Sequence, residues 1–376
     1  LAAARGEVAR AVEWARSLAT MELPTRTAVD DEVHTARVRH TPIGVVAGIV
    51  PWNFPVTLAM WKIAPALLTG NTVVLKPSPF TPLTGLRMGE LSRNVLPAGV
   101  LNVITGDDDL GPALTAHPGI DKIAFTGSTA TGKAVMASAA ADLKRVTLEL
   151  GGNDAAVVLP DADVEALAPQ LFWACFANTS QYCLATKRIY VHEDVHGAFL
   201  DALIAYADTV VIGDGAEPET QMGPLQNRQQ YDRVRRVIAD SEAAGHTIAY
   251  RGTAHPDEGY FIGPVIVDRP PEESSLVQEE PFGPIVPVLT FREVDDVVER
   301  VNASRYGLGG SVWGTDVDRA VAVAERIESG VVWVNEIHRL SPQFPLAGHR
   351  ESGIGRENGI EGLLEYCHTQ VIAVSR

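Results

Sequence analysis

The sequence has few cysteines and no long apolar run. Only three cysteines occur among 376 residues, at Cys175, Cys183 and Cys367. This odd, widely spaced set matches neither a disulfide framework nor a metal-ligand motif, so we predict a reducing, cytoplasmic compartment and no metal site. No run of about eighteen apolar residues is present, and we therefore predict no membrane span. The opening segment lacks the order of regions that marks a signal peptide, and we expect the chain to begin inside a domain.

The charge balance is strongly acidic. The chain has 47 Asp and Glu residues against 31 Lys and Arg, a formal net charge of −16 at pH 7. A surface of this sign repels nucleic-acid phosphates and anionic lipids, so we predict no nucleic acid and no membrane among the partners. Hydrophobic residues at 46% and charged residues at 21% exclude a disordered chain, and the length predicts two or three domains.

Short β-rich runs alternate with amphipathic helical segments along most of the chain. After a helix at 1–19 and a polar hairpin at 28–41, we predict strands at 44–50, 72–75, 101–104, 122–125 and 146–150. Past Gly152 the alternation restarts with a strand at 155–159, a helix at about 161–177 and a strand at 188–192, and a separate strand occupies 366–374. This pattern predicts doubly wound, parallel α/β sheets, in which ligands bind outside the carboxyl ends of the strands.

A glycine-rich turn follows the strand predicted at 122–125. The segment from Gly127 to Lys133 matches most of the P-loop pattern, but Ala134 stands where a hydroxyl would hold Mg²⁺. This departure argues against a P-loop phosphotransferase. A glycine-rich turn at a helix N-terminus still offers free N–H groups to a phosphate, and a plain strand–helix connection is the alternative.

Two polar side chains contrast with their surroundings. Cys183 lies in a polar stretch at 178–188, where loops present functional groups and polar surroundings favour a thiolate. Glu149 ends an apolar strand, where burial raises the pKa of a carboxyl toward the range that a general base needs. The residues alone leave alternatives open. These are an inert, packed thiol for Cys183, as we expect for Cys175 and Cys367, and a salt-bridged structural carboxylate for Glu149.

Seven motifs follow one another along the chain. They are Pro51-Trp-Asn-Phe-Pro55, Lys76-Pro-Ser78, Phe125-Thr-Gly-Ser128, Leu148-Glu-Leu-Gly-Gly152, Gln181-Tyr-Cys183, Glu280-Pro-Phe-Gly-Pro284 and Ser352-Gly-Ile-Gly-Arg-Glu357. In this order they resemble the motifs of the aldehyde dehydrogenase superfamily, in particular its broad bacterial NAD(P)-dependent members, and the resemblance covers nearly the whole chain. It implies an α/β fold with a Rossmann-like cofactor domain, an α/β catalytic domain and a small β arm for oligomerisation.

The resemblance implies a covalent mechanism. Cys183 is the expected nucleophile, and the Asn53 side-chain amide with the Cys183 backbone N–H is expected to hold the oxyanion formed on attack. After hydride transfer to the nicotinamide, Glu149 is expected to activate the water that hydrolyses the thioester. Lys62 and Glu357 match positions that relay the proton outward. Glu149 also disfavours a CoA-acylating variant, because such members generally lack this base.

The same resemblance implies NAD or NADP as the cofactor and a small-molecule aldehyde as the substrate. Lys76 and Ser78 are expected at the adenosine ribose, Gly127 and Ser128 at the pyrophosphate, and Glu280 and Phe282 at the nicotinamide ribose and ring. Further residues expected in this cleft are Ile49, Pro51, Trp52, Gly106, Phe125 and Leu150. Trp61 matches a wall of the substrate tunnel and Tyr182 adjoins the nucleophile in the pocket. Trp52 and Trp61 also fit the alternative role of packed core aromatics.

The chain departs from the family pattern at several positions. Pro79 stands where many NAD-preferring members carry an acid, which removes repulsion against a 2′-phosphate and predicts that NADP is tolerated. Ser180 replaces a frequent glycine, and a positive φ there would strain the oxyanion site. Tyr182 is bulkier than usual, and Leu346-Ala347 replaces a common Phe-Gly. Members also carry a further N-terminal segment, and we expect this chain to be short at that end.

These observations predict three parts. Residues 1–23 and 43–151 form the cofactor domain, residues 152–351 the catalytic domain, and residues 24–42 with 366–376 the oligomerisation arm. Exposed strand edges on such an arm need pairing, so we expect a homodimer or homotetramer. The predicted function is oxidation of an aldehyde to a carboxylic acid with NAD(P)⁺. The alternative is a catalytically impaired, cofactor-binding or scaffold homologue, which Ser180, Tyr182 and the short N-terminus favour.

Overall fold

Helices and strands alternate through most of the chain. The computed structural model describes residues 1–107, 109–253 and 259–376. The helices are α1 Ala2–Leu18, α2 Pro55–Leu68, α3 Pro82–Ser92, α4 Leu110–Ala116, α5 Thr129–Ala140, α6 Val164–Phe176, α7 Glu193–Ala207, α8 Arg228–Ala243, α9 Ser275–Gln278, α10 Val294–Asn302, α11 Val317–Ala324 and α12 Gly359–Leu364. A 3₁₀ turn at Ala177–Ser180 follows α6.

The strands form four sheets in the described part of the chain. They are β1 Arg26–Asp30, β2 His34–Pro42, β3 Val45–Ile49, β4 Thr72–Lys76, β5 Leu101–Val103, β6 Lys122–Thr126, β7 Arg145–Glu149, β8 Asp154–Val158, β9 Thr186–His192, β10 Thr247–Arg251, β11 Val265–Asp268, β12 Ile285–Phe291, β13 Tyr306–Gly307, β14 Gly309–Trp313, β15 Val331–Val334, β16 His349–Arg350, β17 Gly353–Ile354 and β18 Cys367–Ser375. The helix predicted at 1–19, the hairpin at 28–41 and the strands predicted from the alternation are all present.

The chain divides into two compact units. The first unit comprises Leu1–Ala2, Gly151–Arg339 and Gly348–Ser352, and the second unit comprises Ala3–Leu150, Leu340–Ala347 and Gly353–Arg376. Each unit has its own sheet and its own apolar core.

The main sheet of the second unit has the strand order β17-β7-β6-β3-β4-β5. Strands β7 to β5 of this order are parallel, and β17 pairs antiparallel with β7. The chain enters in the middle at β3, adds β4 and β5 on one side, and then crosses to add β6 and β7 on the other. The order therefore reverses between β3 and β6, which is the point where doubly wound sheets bind ligands. This arrangement confirms the predicted α/β fold.

A second, antiparallel sheet in the same unit has the order β1-β2-β18. The two outer strands sit on either side of β2, and β18 pairs with β2 along its whole length, from Cys367 opposite Pro42 to Ser375 opposite His34. Val371, Ile372 and Val374 on β18 are exposed.

The sheet of the first unit has the order β10-β11-β12-β9-β8-β14-β15, and its pairs are parallel except for β10 with β11. Side chains alternate between its two faces, as the twofold period of a strand requires. Along β8, Ala156 and Val158 pack in the cluster that contains α6 and α7, whereas Ala155 and Val157 pack in the cluster that contains α10 and α11. The inner strands β8, β11 and β12 are buried on both faces, which explains their apolar runs.

Asn71 ties three segments of the second unit together. Its Oδ1 accepts from the Gly44 N–H at 2.8 Å, and its Nδ2 donates to the carbonyls of Tyr366 at 2.9 Å and Ala66 at 3.3 Å. The side chain is buried. It therefore satisfies backbone groups before β3, in α2 and before β18.

We predict that Asn71→Ala lowers the free energy of unfolding by about 2–4 kcal/mol, because it removes the hydrogen bonds to the Gly44 N–H and the Tyr366 carbonyl. Denaturant unfolding measures this change. Asn102→Ala, at an exposed site, is the control and changes the free energy of unfolding by less than about 0.5 kcal/mol. Equal unfolding midpoints for the two variants would contradict the role of Asn71.

Candidate active site

The cofactor-binding residues predicted in the second unit all lie at the carboxyl ends of its parallel strands. Ile49 ends β3, and Pro51 and Trp52 follow it. Lys76 ends β4, Ser78 comes two residues later, and Gly106 follows β5. Phe125 lies near the end of β6, before Gly127 and Ser128, and Leu150 follows β7. The ends of β3 and β6 flank the point where the strand order reverses. The positions thus form one continuous edge at the place where such sheets bind dinucleotides.

The turn between β6 and α5 is shaped to receive a phosphate. A Cβ at Gly127 would lie 2.5 Å from Cζ of Phe125, so only glycine allows the backbone to fold this closely over the ring. Ser128 caps α5 by accepting from the Thr131 N–H at 3.2 Å. The first N–H groups of a helix have no intrahelical acceptor, and together with the helix dipole they attract an anion. The turn fits the pyrophosphate of NAD or NADP.

Lys76 and Ser78 supply buried polar groups at the end of β4. Both residues are less than a tenth exposed. The Ser78 Oγ accepts from the Phe80 N–H at 3.3 Å, which turns the chain sharply beyond the strand. Pro79, in this turn, is exposed. The chemistry of a hydroxyl and an ammonium at a strand end fits the hydroxyl groups of a ribose.

Glu149, Lys62 and Glu357 form a buried cluster in the second unit. Lys62 and Glu357 make an ion pair, and both side chains are fully buried. Glu149 ends β7, and burial raises the pKa of its carboxyl to about 8, while the positive charge of Lys62 opposes that shift. This is the direction that its position in an apolar strand predicts. Within the described residues, Oε1 of Glu149 has no hydrogen-bond partner.

The return of the chain after residue 352 brings Glu357 to this cluster. Gly353 pairs with Glu149 where β17 meets β7. Leu346 and Glu357 then exchange two backbone hydrogen bonds, of 2.7 and 2.8 Å. Leu346, the departure from a common Phe, is thus buried and helps to hold the backbone of Glu357.

Asn53 and Trp61 also belong to the second unit. Asn53 is half-buried in the connection between β3 and α2. Trp61 is buried within α2 and stacks on Trp14, with ring centroids 5.4 Å apart. This packing is that of a core aromatic, and its place in a substrate tunnel stays a prediction.

Cys183 lies in the first unit, in the turn between α6 and β9. It is half-buried, whereas Cys175 and Cys367 are buried. Burial raises the pKa of both of these other thiols, which keeps them in the unreactive protonated form. Cys183 is therefore the most accessible of the three sulfur atoms.

The backbone before Cys183 is strained. Asn178, Thr179 and Ser180 all have positive φ, of 51°, 56° and 60°. Each such residue costs about 1–3 kcal/mol unless glycine occupies the position. The expectation that a positive φ at Ser180 strains this segment is met. Hydrogen bonds hold the strained turn in place: the Thr179 hydroxyl donates to the Gly223 carbonyl at 2.9 Å, and the Gln181 side chain accepts from the Gln226 N–H at 2.8 Å.

Glu280 and Phe282 lie in a second turn of the first unit. Helix α8 supports this turn, since Gln230 donates to the carbonyl of Phe282 at 2.8 Å and Arg233 donates to that of Glu280 at 2.7 Å. The Glu280 carboxylate accepts from the Gly152 N–H at 3.3 Å and lies 3.1 Å from the ammonium of Lys187.

Two residues near Cys183 were not found from the sequence. Lys187 joins Glu280 to the Cys183 turn, and the only signal for it is a pair of basic residues, Lys187 and Arg188, at the start of a buried strand. His338 lies against the ring of Tyr182, with centroids 4.6 Å apart, and burial lowers the pKa of its imidazole to about 4. A neutral imidazole therefore lies beside Tyr182, and no local sequence pattern predicts this contact.

Each unit thus contains a different group of the predicted site residues. The second unit joins Glu149, Lys62 and Glu357 and aligns the strand-end residues, and the first unit links the Cys183 turn to Glu280. In the described ranges, no group of three or more His, Cys, Asp or Glu residues could hold a metal ion. No helix among the described residues has the length and hydropathy needed to cross a membrane.

Comparison with known proteins identifies the family. A model of the aldehyde dehydrogenase family matches residues 1–372. A putative aldehyde dehydrogenase of Gibberella fujikuroi is 44% identical over 364 residues, which are 97% of this chain and 77% of that protein.

Solved structures agree with this match. The NAD⁺ complex of an aldehyde dehydrogenase from Bacillus cereus superposes with a TM-score of 0.94 at 37% identity, covering 98% of this chain and 76% of that one. An NADP-dependent enzyme of E. coli superposes with a TM-score of 0.94 at 34% identity, covering 99% of this chain and 78% of that one. From the strand-end site, the buried Glu149 cluster and these matches, we conclude that the chain belongs to the aldehyde dehydrogenase family.

Proposed function

We propose that this chain oxidises a small-molecule aldehyde through a covalent intermediate on Cys183. The family sets the overall reaction, in which an aldehyde is oxidised to a carboxylic acid and NAD⁺ or NADP⁺ is reduced. The observation that carries the proposal is Glu149, a fully buried carboxyl with a pKa of about 8 beside the Lys62–Glu357 ion pair. A hydrolytic step near neutral pH needs a base of this kind.

In the first step, the Cys183 thiolate attacks the aldehyde carbon. A C–S bond forms, and the carbonyl electron pair moves to oxygen as an oxyanion. The Asn53 side-chain amide and the Cys183 backbone N–H are the proposed donors to this oxygen. NAD⁺ or NADP⁺, when bound, would supply the hydride acceptor. As the oxyanion electron pair re-forms the C=O bond and the hydride leaves the same carbon, Cys183 is left carrying a thioester.

In the second step, Glu149 removes a proton from water. The water oxygen attacks the thioester carbon, the C–S bond breaks, and the carboxylic acid leaves with Cys183 restored. The raised pKa makes Glu149 a stronger base than an ordinary carboxylate while it remains partly ionised near pH 7. We propose that the Lys62–Glu357 pair passes the proton from Glu149 outward.

The dinucleotide is proposed to bind along the strand ends of residues 43–151. Lys76 and Ser78 would hold the adenosine ribose and the Gly127–Ser128 turn the pyrophosphate, with Glu280 and Phe282 at the nicotinamide end. The close approach of Gly127 to Phe125 and the position of the turn at the N-terminus of α5 support this placement.

We also propose a homodimer or homotetramer in the cytoplasm. The exposed apolar side chains on β18, an outer strand of its sheet, support pairing through an arm formed by residues 24–42 and 366–376. The small, odd number of cysteines in the sequence supports a reducing compartment.

A catalytically impaired homologue is the second candidate. The run of positive φ at Asn178, Thr179 and Ser180 favours it, because a strained turn holds the oxyanion donor less firmly unless its supports are complete. Measurement of aldehyde-dependent NADH formation by the unmodified protein separates the two candidates.

We predict that Cys183→Ala abolishes aldehyde-dependent NADH formation, measured by absorbance over a panel of aliphatic and aromatic aldehydes. The loss follows because no other group forms the thioester. Cys175→Ala is the matched control, since this buried thiol is not in the mechanism, and it retains activity within about threefold. If Cys183→Ala were about as active as the unmodified protein, Cys183 would not be the nucleophile. If the unmodified protein were itself inactive, the result would favour the impaired homologue.

We predict that Glu149→Gln stalls hydrolysis and leaves an acyl adduct on Cys183, detected by mass spectrometry after mixing with aldehyde and cofactor. In the unmodified enzyme, the hydrolysis rate rises with pH through about 8, because the base acts when ionised. The control is Glu365→Gln, an isosteric change elsewhere in the same unit, which forms no lasting adduct. Turnover of Glu149→Gln without an adduct would exclude Glu149 as the base.

The same pKa shift has a measurable effect on stability. Between about pH 4.5 and 8 the folded protein keeps a proton on Glu149 that the unfolded chain has lost, so the free energy of unfolding falls as pH rises through this window. Glu149→Gln removes this contribution, and denaturant unfolding at several pH values is expected to show a flatter profile.

We predict that NADP⁺ is used within about an order of magnitude of NAD⁺ in kcat/KM, a gap of about 1.4 kcal/mol. Pro79 is exposed and carries no charge to repel a 2′-phosphate. Pro79→Glu is expected to lower kcat/KM for NADP⁺ by more than about tenfold and to leave that for NAD⁺ within about threefold. If Pro79→Glu changed kcat/KM equally for both cofactors, Pro79 would not lie near the 2′ position of the adenosine ribose.

A further inference from the structure

Lys187 is a buried lysine whose ammonium faces the nucleophile turn. Its Nζ donates to the carbonyl oxygens of Tyr182 at 3.0 Å, Cys183 at 2.6 Å and Ala185 at 3.3 Å. It also lies 3.1 Å from Oε1 of Glu280, and its side chain is only 1% exposed. The mechanism above gives this charge no role.

The contact with Tyr182 has a geometric consequence for Cys183. The Tyr182 carbonyl and the Cys183 N–H belong to one planar, trans peptide group and point in opposite directions. A hydrogen bond that fixes the carbonyl therefore also fixes the direction of the N–H. The Ala185 N–H also donates to this carbonyl, at 3.1 Å. Because the second donor, Lys187, is a cation, it draws electron density from the peptide and makes the Cys183 N–H a stronger hydrogen-bond donor.

We propose that Lys187 is a positioning residue for the oxyanion site, which aims and polarises the Cys183 N–H through the Tyr182 carbonyl. The proposal rests on the proposed function, in which this N–H receives the oxyanion. Lys187 does not touch the substrate in this scheme and acts only through the backbone of the turn.

The surroundings of Lys187 are built to keep its charge in the interior. Glu280 forms an ion pair with Lys187. Asp154 is a second buried carboxyl nearby: burial raises its pKa to about 7, and the positive charge of Lys187 opposes that shift. An ammonium has three protons, and the three carbonyls and Glu280 offer it four acceptors.

Two glycines let these groups approach closely. A Cβ at Gly152 would lie 2.7 Å from the Cys183 carbonyl oxygen and 2.7 Å from Oδ1 of Asp154, and a Cβ at Gly309 would lie 2.4 Å from Oδ2 of Asp154. The backbone at Gly152 thus packs directly against the peptide that follows the nucleophile. The position of this turn depends on close contacts with several neighbours.

Two reactions of Cys183 separate an effect on the oxyanion from a general effect on the thiol. Acylation by p-nitrophenyl acetate needs no cofactor: the thiolate attacks the ester carbon, an oxyanion forms, and p-nitrophenolate leaves as the C–O bond breaks. Alkylation by iodoacetamide displaces iodide at a saturated carbon and forms no oxyanion. The rates of both reactions are measured on the unmodified protein and on Lys187→Met, with mass spectrometry to locate the adducts.

We expect Lys187→Met to slow acylation by about 10- to 100-fold, less than the loss of a whole oxyanion donor, and to leave alkylation within about threefold. Lys122→Met is the matched control: it removes another fully buried ammonium, which donates to the Thr147 hydroxyl at 2.6 Å in the second unit. Both rates are expected to stay within about threefold in this control. If Lys187→Met does not fold, Lys187→Met/Asp154→Asn removes one positive and one negative charge together and is used instead.

The outcomes are distinct. A parallel fall of acylation and alkylation would mean that Lys187 only supports the turn, and no fall in either would mean that it does not act on the nucleophile; each overturns the proposal. No acyl adduct on Cys183 of the unmodified protein would instead contradict the proposed function itself.

Discussion

The buried ion pair between Lys62 and Glu357 is the constraint on which the second unit depends. Charges in an apolar interior are costly to desolvate, and breaking such a pair by removing one partner costs several kcal/mol. The segment after residue 353 must therefore bring Glu357 to Lys62 in α2. Two pairings hold this segment in place: β17 pairs with β7, and Leu346 exchanges backbone hydrogen bonds with Glu357. The same return places the pair where its cation acts on Glu149. The ion pair that the fold requires thus also affects the pKa of Glu149, the proposed base.

The first unit has a different constraint, because the backbone before Cys183, the proposed nucleophile, is strained. Three successive residues with positive φ are tolerable only when neighbours over-determine their geometry. Side chains of Thr179 and Gln181 supply part of that support, and Lys187 supplies the part nearest Cys183. Rigid support of this kind is what catalytic geometry requires, since small displacements of a reacting group cost large factors in rate.

The sequence predicts the strands and turns of both sheets well because their signals are local. A β-branched run that stops at Gly127 or at Pro51 marks the end of a strand, and in a parallel sheet all such ends lie on one edge. Glu149 is predictable for a similar reason, since a carboxylate that closes an apolar strand must be buried. The family resemblance adds roles but not contacts.

Lys187 and His338 are harder to find from sequence. Lys187 binds backbone carbonyls of its own turn, which have no side-chain signature, and Glu280, which lies far along the chain. His338 contacts Tyr182 only after the first unit has folded. The positive φ at Ser180 is likewise a tertiary result, because neighbouring hydrogen bonds and not the serine itself impose it.

Glu280 carries a consequence for how tightly the dinucleotide is held. Its carboxylate already has two protein partners, the Gly152 N–H and the Lys187 ammonium. Both of these contacts are to Oε1. If the carboxylate also binds the nicotinamide ribose, Oε2 can accept from the sugar hydroxyls while Oε1 keeps its protein partners. The carboxylate is then oriented by the protein before the dinucleotide arrives, so that less side-chain freedom would be lost on binding.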